Sequence, residues 1–254
     1  MAVLTGKVAV ITGASAPRGL GRAIAHRFAR EGASLFLVAD ETEQQLLEAR
    51  GECQAAASAR AEYALYDLAV PGQPEAMIAN ALQLFGRVDV LVNNAGLRAP
   101  CAFDEVPREV YDRVMAVNVA APFFASQAVV PAMRRQGGGR IVNVASQLGT
   151  VAFDRAAVYS VSKAALIQLT RSMAYELAKE NILVNAISPG PTLTQYIVDS
   201  QNADPALARR RVEYCPIGRL GQPEEIAELA LFLATAPGFL VGANILIDGG
   251  YTLH

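Results

Sequence analysis

The sequence predicts an α/β protein built on a doubly wound parallel sheet in a single domain. Three observations carry that expectation. Short β-branched or apolar runs alternate with longer helical patterns along all 254 residues. Those runs are apolar almost throughout, as in sheets covered on both faces. Hydrophobic residues make up 52% of the chain and charged residues 18%, which suits one large buried core and not a disordered chain.

The first strand is expected over Lys7–Thr12. Gly6 and Lys7 interrupt the apolar start and no basic segment precedes it, so the N-terminus reads as a strand and not a secretory signal. A glycine-rich turn and an apolar-periodic helix over Leu20–Glu31 follow. Strand two covers Leu35–Ala39, and Asp40 is a candidate N-cap for a helix over Glu41–Ala57. Strand Glu62–Tyr66 leads through Asp67 to helix Pro74–Phe85. Strand Val88–Asn93 ends in Asn93-Asn94-Ala95-Gly96, which suits a tight turn. A long helical pattern over Pro107–Arg135 stops at the Gly137–Gly139 turn, before strand Arg140–Ala145. Helix Val158–Glu180, strand Ile182–Ile187, helix Pro223–Thr235 and strand Asn244–Ile247 complete the series. The longest irregular region, Pro189 to Gly221, has a helical piece near Pro205–Glu213. It is expected to close over a site as a lid within residues 190–221, or else to be a surface insertion. No repeat or low-complexity linker divides the chain, so residues 1–254 are expected to form one domain combining cofactor binding and catalysis.

Composition excludes several classes of function. A net charge of −2 gives no reason to expect a nucleic-acid or membrane partner. No uninterrupted apolar segment is long enough to span a bilayer. Cys53, Cys101 and Cys215 are odd in number and widely spaced, which argues against a disulfide framework or a zinc site and favours a reduced, cytoplasmic setting. With His26 and His254 the only histidines, a His-based triad or multi-His metal centre is not expected, and no metal site is assigned. Lys7, Lys163 and Lys179 are the only lysines beside 19 arginines, which suggests positions where guanidinium would not serve.

The turn after strand one reads Thr12-Gly13-Ala14-Ser15-Ala16-Pro17-Arg18-Gly19-Leu20-Gly21. Between a strand and a helix, Gly13, Ser15, Gly19, Leu20 and Gly21 are candidates to let backbone approach a pyrophosphate at a helix N-terminus; as a bare cluster they are only a turn. Asp40 stands where an acidic residue holds an adenosine ribose, and with Glu41 beside it disfavours a 2′-phosphate. Arg18 pulls the other way. NAD is therefore the expected cofactor, with NADP the alternative. Asp67, with Leu68 after it, is placed either to reach an adenine or to cap a turn.

The strand-one glycine loop, Asp67, Asn93–Gly96, Asn118, Ser146, Tyr159-x-x-x-Lys163, Pro189-Gly190 and the terminal Asp248-Gly249-Gly250, taken in order, resemble the short-chain dehydrogenase/reductase family over essentially the full chain. The resemblance implies a Rossmann-type fold and an oxidoreductase that interconverts a secondary alcohol, such as a polyol, sugar or hydroxy acid, with its ketone. It implies that Tyr159 exchanges the proton, Lys163 lowers the phenol pKa and binds the nicotinamide ribose, Ser146 binds the substrate oxygen and Asn118 holds a relay water. Asn94, Ala95 and Gly96, with Pro189, Gly190, Thr192 and Thr194, are the implied contacts further along the cofactor. The family resemblance also implies a small-molecule substrate and a homotetramer or homodimer formed through the two long helices and the C-terminal segment. The alternatives are an NADPH-dependent ketoreductase acting on a 3-oxoacyl thioester and a non-catalytic nucleotide-binding regulator.

The sequence departs from the family pattern in two places. The glycine loop is two residues longer than the usual pattern, as in the enoyl-thioester reductase branch, but the lysine spacing of that branch would put its tyrosine at Ala156, which has no proton to give. Tyr-x-x-x-Lys also occurs twice. Sixteen residues at about 100° each turn Tyr175/Lys179 roughly 160° from Tyr159/Lys163, so only one pair faces a cleft. Tyr159, soon after Ser146, is the pair expected at the ligand crevice, with Tyr175 and Lys179 outside. Gln147, Leu148, Phe153, Arg155, Tyr196 and Tyr214 are expected near the substrate. Arg98, Arg155 and Arg209–Arg211 either meet an anionic substrate or, as the favoured reading, form a solvated face.

Overall fold

In the computed structural model, which describes residues 2–40, 43–57 and 60–253, seven strands lie in one sheet in the order β3-β2-β1-β4-β5-β6-β7, every pairing parallel. They are β1 Val8–Thr12, β2 Ser34–Ala39, β3 Ala61–Leu65, β4 Val90–Asn93, β5 Gly139–Val144, β6 Ile182–Pro189 and β7 Asn244–Ile247. Each sequence-predicted strand is present, with its ends within two residues of expectation and the seventh unchanged. The helices are α1 Leu20–Arg30, α2 Glu43–Ala57, α3 Gln73–Phe85, α4 Arg108–Met115, α5 Ala121–Arg135, α6 Ala157–Leu177, α7 Gln195–Ala203, α8 Pro205–Glu213 and α9 Pro223–Thr235. Glu41, which weighed toward NAD, lies outside the described residues, as does His254.

Strand side chains alternate between two apolar layers, which is why the strands read as unbroken hydrophobic runs. Ile11, Leu37 and Val92 pack with Ile24, Phe28 and Leu46 of α1 and α2 and with Ile226 and Leu231 of α9. Val10, Phe36, Leu91 and Ile141 face Met77 and Ile78 of α3, Val129 and Met133 of α5 and Leu177 of α6. Burying a side chain of this size contributes about 1.5–3 kcal/mol.

The long helical pattern is one run with a flaw in it. α4 and α5 are joined by a π-helical turn, Ala116–Ala120, that carries Asn118. Such turns interrupt the regular hydrogen-bond ladder and cluster at functional sites. The combined run Arg108–Arg135 does reach the length and mean hydropathy of a bilayer span, contrary to the sequence expectation; half of its apolar window is buried inside the domain, as befits a core helix. Residues 190–221 hold a helix that sequence reading missed, α7, ahead of the expected α8. The base of this excursion is pinned: Leu193 N donates to Gly221 O at 2.9 Å and Gly221 N to Pro191 O at 3.0 Å.

The chain winds outward from β1 to β3, returns across the sheet to β4, and winds the other way to β7. Helices therefore leave β1 and β4 toward opposite faces, and a crevice opens at the carboxyl ends of those two strands.

Candidate active site

A cleft of about 480 Å³ occupies that crevice. At one end its walls are Gly13, Ser15, Gly19 and Leu20 of the loop after β1, Asp40 after β2, Leu68 after β3 and Asn94–Gly96 after β4. Gly19 is the N-cap of α1 and no side chain caps the helix, so its first N–H groups and positive dipole end are free to face an anion. The lengthened loop is held from below. Arg22, buried in the first turn of α1, donates through Nη1 to Ser15 O at 3.0 Å and through Nε and Nη2 to Glu52 at 2.8 and 2.6 Å. Thr12 ties this loop to the next: its Oγ1 accepts from Asn94 N and Ala95 N, while Asn94 Nδ2 donates to Thr12 O and Gly13 O. An uncapped helix start beside glycine backbone, with a carboxylate at the end of β2, fits a dinucleotide.

The cation in this half is not the expected one. Arg18 is exposed on the loop and is not part of the cleft wall. Arg113 of α4 is, with its guanidinium 3.8 Å from Asp40 Oδ2 and 3.3 Å from Asp67 Oδ2. Asp67 also accepts from Ala69 N at 3.0 Å, so it caps its turn and steadies Arg113 without lining the cleft. Gly21 is likewise behind the wall, where α1 packs against Gly13.

At the other end stand Ser146, Tyr159 and Lys163, with Pro189, Gly190, Thr192 and Thr194 from the end of β6. Tyr159 and Lys163 lie one turn apart in α6 and both face the cleft, whereas Tyr175 is 90% exposed on the outer surface and Lys179 is exposed in the turn after α6. Lys163 is buried, donates through Nζ to Val144 O at 2.8 Å and stands 5.7 Å from the Tyr159 ring centroid. Ser146 Oγ donates to Gln147 Oε1 at 2.9 Å and accepts from Leu148 N at 3.1 Å. It thus caps a short helical turn and lines the cleft at once.

The expected electrostatics need correction. Lys163 was expected to lower the Tyr159 pKa, yet the phenol is held above its ordinary value, chiefly by burial; hydrogen bonding with Ser146 and the Arg98 charge pull it down, and Tyr196 pushes it up. Lys163 is itself lowered to about 8 by burial, since a low-dielectric site disfavours the ammonium. An unfolded lysine keeps its proton to about 10.4. Between pH 8 and that value the unfolded chain therefore binds more protons, and stability should rise with pH relative to a Lys163→Met variant. Urea unfolding of both proteins at pH 7 and 9.5 should show the difference moving toward wild type by about 1 kcal/mol per unit above pH 8; a pH-independent difference would contradict it.

Asn118 is fully buried and does not line the cleft. Its Oδ1 accepts from Leu97 N at 2.8 Å, and its Nδ2 donates to Leu97 O and Ser162 Oγ, both at 2.9 Å. In this arrangement it clamps the strand-four loop to α6. Gln147, Leu148, Phe153 and Tyr196 line the cleft as expected. Arg155 and Tyr214 do not; Tyr214 packs edge-on against Tyr251, a cleft residue that sequence reading missed, with ring centroids 5.6 Å apart. The signal for Tyr251 was its place after Asp248-Gly249-Gly250, where Asp248 accepts from Gly250 N and Thr252 N to form the terminal turn. Arg209–Arg211 divides: Arg209 and Arg210 are exposed, while Arg211 is 3% exposed and lines the cleft.

A family profile described as enoyl-(acyl carrier protein) reductase matches residues 13–252. An uncharacterized oxidoreductase of Thermotoga maritima is 40% identical over 253 residues, spanning 97% of this chain and 98% of the relative. The NAD-dependent glycerol dehydrogenase of Listeria innocua is 33% identical over 98% of this chain and 95% of its own. The crystal structure of L-sorbose reductase from Gluconobacter frateurii, complexed with NADPH and L-sorbose, superposes with a TM-score of 0.93 at 33% identity, covering 100% of both chains. The chain belongs to the short-chain dehydrogenase/reductase family, and its fold is the Rossmann-type sheet of that family. It is an oxidoreductase by that membership.

Proposed function

We propose that the protein interconverts a secondary alcohol and the matching ketone with NAD(H), and that Tyr159 is the general acid and base. The observation that carries this reading is the placement of Tyr159, Lys163 and Ser146 on one wall of a cleft whose far end is an uncapped helix start. Gly13, Ser15, Gly19 and Leu20 would hold the pyrophosphate, Asp40 the adenosine ribose, Lys163 the nicotinamide ribose, and Pro189 through Thr194 the nicotinamide end. When bound, the nicotinamide supplies or accepts the hydride.

The protein's own part is proton handling and position. With its pKa raised by burial, Tyr159 holds its proton at neutral pH and is suited to donate it to a carbonyl oxygen. In the oxidative direction the same oxygen must lose that proton first, and the Arg98 charge favours this. Ser146 Oγ would turn from Gln147 to the substrate oxygen and fix it beside the phenol. The lid is α7 and α8, whose Tyr196, Ile197 and Arg211 close the substrate end and restrict water.

NAD is the cofactor this reading favours, because Asp40 is at the cleft wall and Arg18 is not. Arg113, 3.8 Å from Asp40, softens the repulsion of a 2′-phosphate and keeps NADP as the alternative. The Listeria relative is named as NAD-dependent and the sorbose reductase was solved with NADPH. A panel of polyols, sugars and hydroxy acids, assayed with each cofactor by absorbance of the reduced nicotinamide, tests both points. Turnover of alcohols with a higher kcat/KM for NAD is expected; a strong NADPH preference would reverse the reading of Asp40.

Assembly as a homotetramer or homodimer is part of the same proposal. Phe123 and Phe124 on α5 and Val161 and Tyr175 on α6 are exposed together on the long helices, and Phe232 and Leu246 on α9 and β7. Isolated apolar residues are common on surfaces, but sets on neighbouring helices suit burial between copies. Light scattering of the intact chain should give a mass two or four times that of the 26.9 kDa chain.

A further inference from the structure

Two guanidinium groups stand in the substrate half of the cleft with no carboxylate within ion-pair distance among the described residues. Arg98 leaves the loop after β4, and its Cζ lies 5.5 Å from the ring centroid of Tyr196, 5.7 Å from Tyr159 and 6.0 Å from Phe153. Its Nε is buried without a hydrogen-bond partner. Arg211 enters from α8, is 3% exposed, and is held through Nη1 by Ser200 Oγ at 2.5 Å. Among the described residues neither has a carboxylate within ion-pair distance, although twelve lysine or arginine ion pairs form elsewhere among them. Arg98 and Arg211 line the same cleft, and burial first and then the Arg98 charge hold Arg211 below its ordinary pKa, against upward pulls from Tyr196, Tyr251 and Asp204.

Burying a charge is costly unless it is paired, and buried charges in folded proteins are normally paired. Here Arg211, buried and outside any ion pair among the described residues, stands with the partly exposed Arg98 beside the general acid. We infer that Arg98 and Arg211 bind the anionic group of the substrate, which is therefore a hydroxy acid or a phosphorylated polyol and its keto form, and not a neutral alcohol. Guanidinium presents a planar fork to the oxygens of a carboxylate or a phosphate. The aromatic rings around Arg98 hold that fork over the Tyr159 ring, so the anion lies a few atoms from the carbon that is oxidised. A neutral polyol would leave both charges unanswered, which is discrimination of the kind a polar pocket makes against a substrate lacking the matching group.

The inference rests on the alcohol–ketone reading above, and the test separates the two. Wild type is assayed with sorbitol, gluconate and sorbitol 6-phosphate, and with glycerol, glycerate and glycerol 3-phosphate. Each set keeps its carbon number and changes one terminus. An anionic member should exceed its neutral partner in kcat/KM at least on the order of tenfold, and whether the carboxylate or the phosphate leads names the source of the anion. Arg98→Gln, at a partly exposed residue, should cut that anion-to-neutral ratio on the order of 10- to 100-fold. Arg211→Lys, which keeps a charge in the buried position, should cut it less.

A second measurement needs no turnover. Succinate, which has no hydroxyl to oxidise, should bind wild type in calorimetry and bind Arg98→Gln on the order of tenfold more weakly, whereas 1,4-butanediol should bind neither. A ratio near one in wild type, unchanged by either substitution, would overturn the inference and leave the alcohol–ketone reading standing. Absence of turnover with every member and both cofactors would overturn that reading, and succinate binding would still decide the arginine pocket.

Discussion

Tyr159→Phe is expected to lower kcat by about 100- to 10,000-fold, the usual contribution of a positioned proton donor. The substitution removes one oxygen and keeps the ring over which Arg98 lies, 5.7 Å away. Lys163 keeps its bond to Val144 O, because that contact does not involve the phenol. Cofactor affinity, read by quenching or enhancement of the reduced nicotinamide fluorescence, should therefore change little while turnover collapses. A loss shared equally between kcat and cofactor binding would point to collapse of the cleft, and near-normal turnover would remove Tyr159 from the chemistry. The same substitution at Tyr175, 90% exposed on the outer face of α6, should leave kcat as it was.

Gly21→Ala is expected to be the most disruptive single methyl group in the cofactor half. A Cβ there would sit 2.3 Å from Gly13 O, 2.8 Å from Gly13 C and 2.6 Å from Asn94 Nδ2. Two of those atoms are backbone and cannot rotate away, and the third is committed to Thr12 O and Gly13 O. Either α1 or the loop after β1 must shift, at a cost of roughly 1–3 kcal/mol. For a chain of this size that corresponds to about 2–4 °C in Tm for each kcal/mol. Because the displaced loop is the one that carries Gly13 and Ser15, dinucleotide affinity should fall with stability. Gly51→Ala is the control: that helical glycine on α2 is exposed with nothing within 4 Å of its added Cβ. It should stabilise the chain by about 0.4–1 kcal/mol, through helix propensity and a less disordered unfolded state. Thermal unfolding of both variants, with and without NAD, decides the point; a Gly21→Ala protein as stable as wild type would contradict the expected clash.

The strands were legible because a parallel sheet buried on both faces leaves an unbroken apolar signature, and Val8–Thr12 or Ser34–Ala39 can be nothing else in a chain this regular. Helix α7 was not. Among its described side chains Ile197 is the buried one, and the sequence Gln195–Ala203 carries no apolar residue three or four positions after it. The pi-helical turn at Asn118 was equally hidden, since one inserted residue leaves no trace in an already apolar helix.

The chain alone determined the order of elements, the glycine start of α1, and a Tyr–Lys pair that its distance from Ser146 separates from the copy at Tyr175. These are local properties, written in spacing and side-chain type over a few tens of residues. Tertiary structure decided which charges count. Arg18, beside the glycines in sequence, is exposed, and Arg113, seventy-three positions from Asp40, reaches it. Arg98 and Arg211, read from sequence as part of a solvated face, share the substrate pocket, with Arg211 almost fully buried. It also reversed the sign assigned to Tyr159, because burial raises a phenol more than the neighbouring charges lower it. Burial and ion pairing depend on what surrounds a group from distant parts of the chain, and spacing along the sequence carries no record of that.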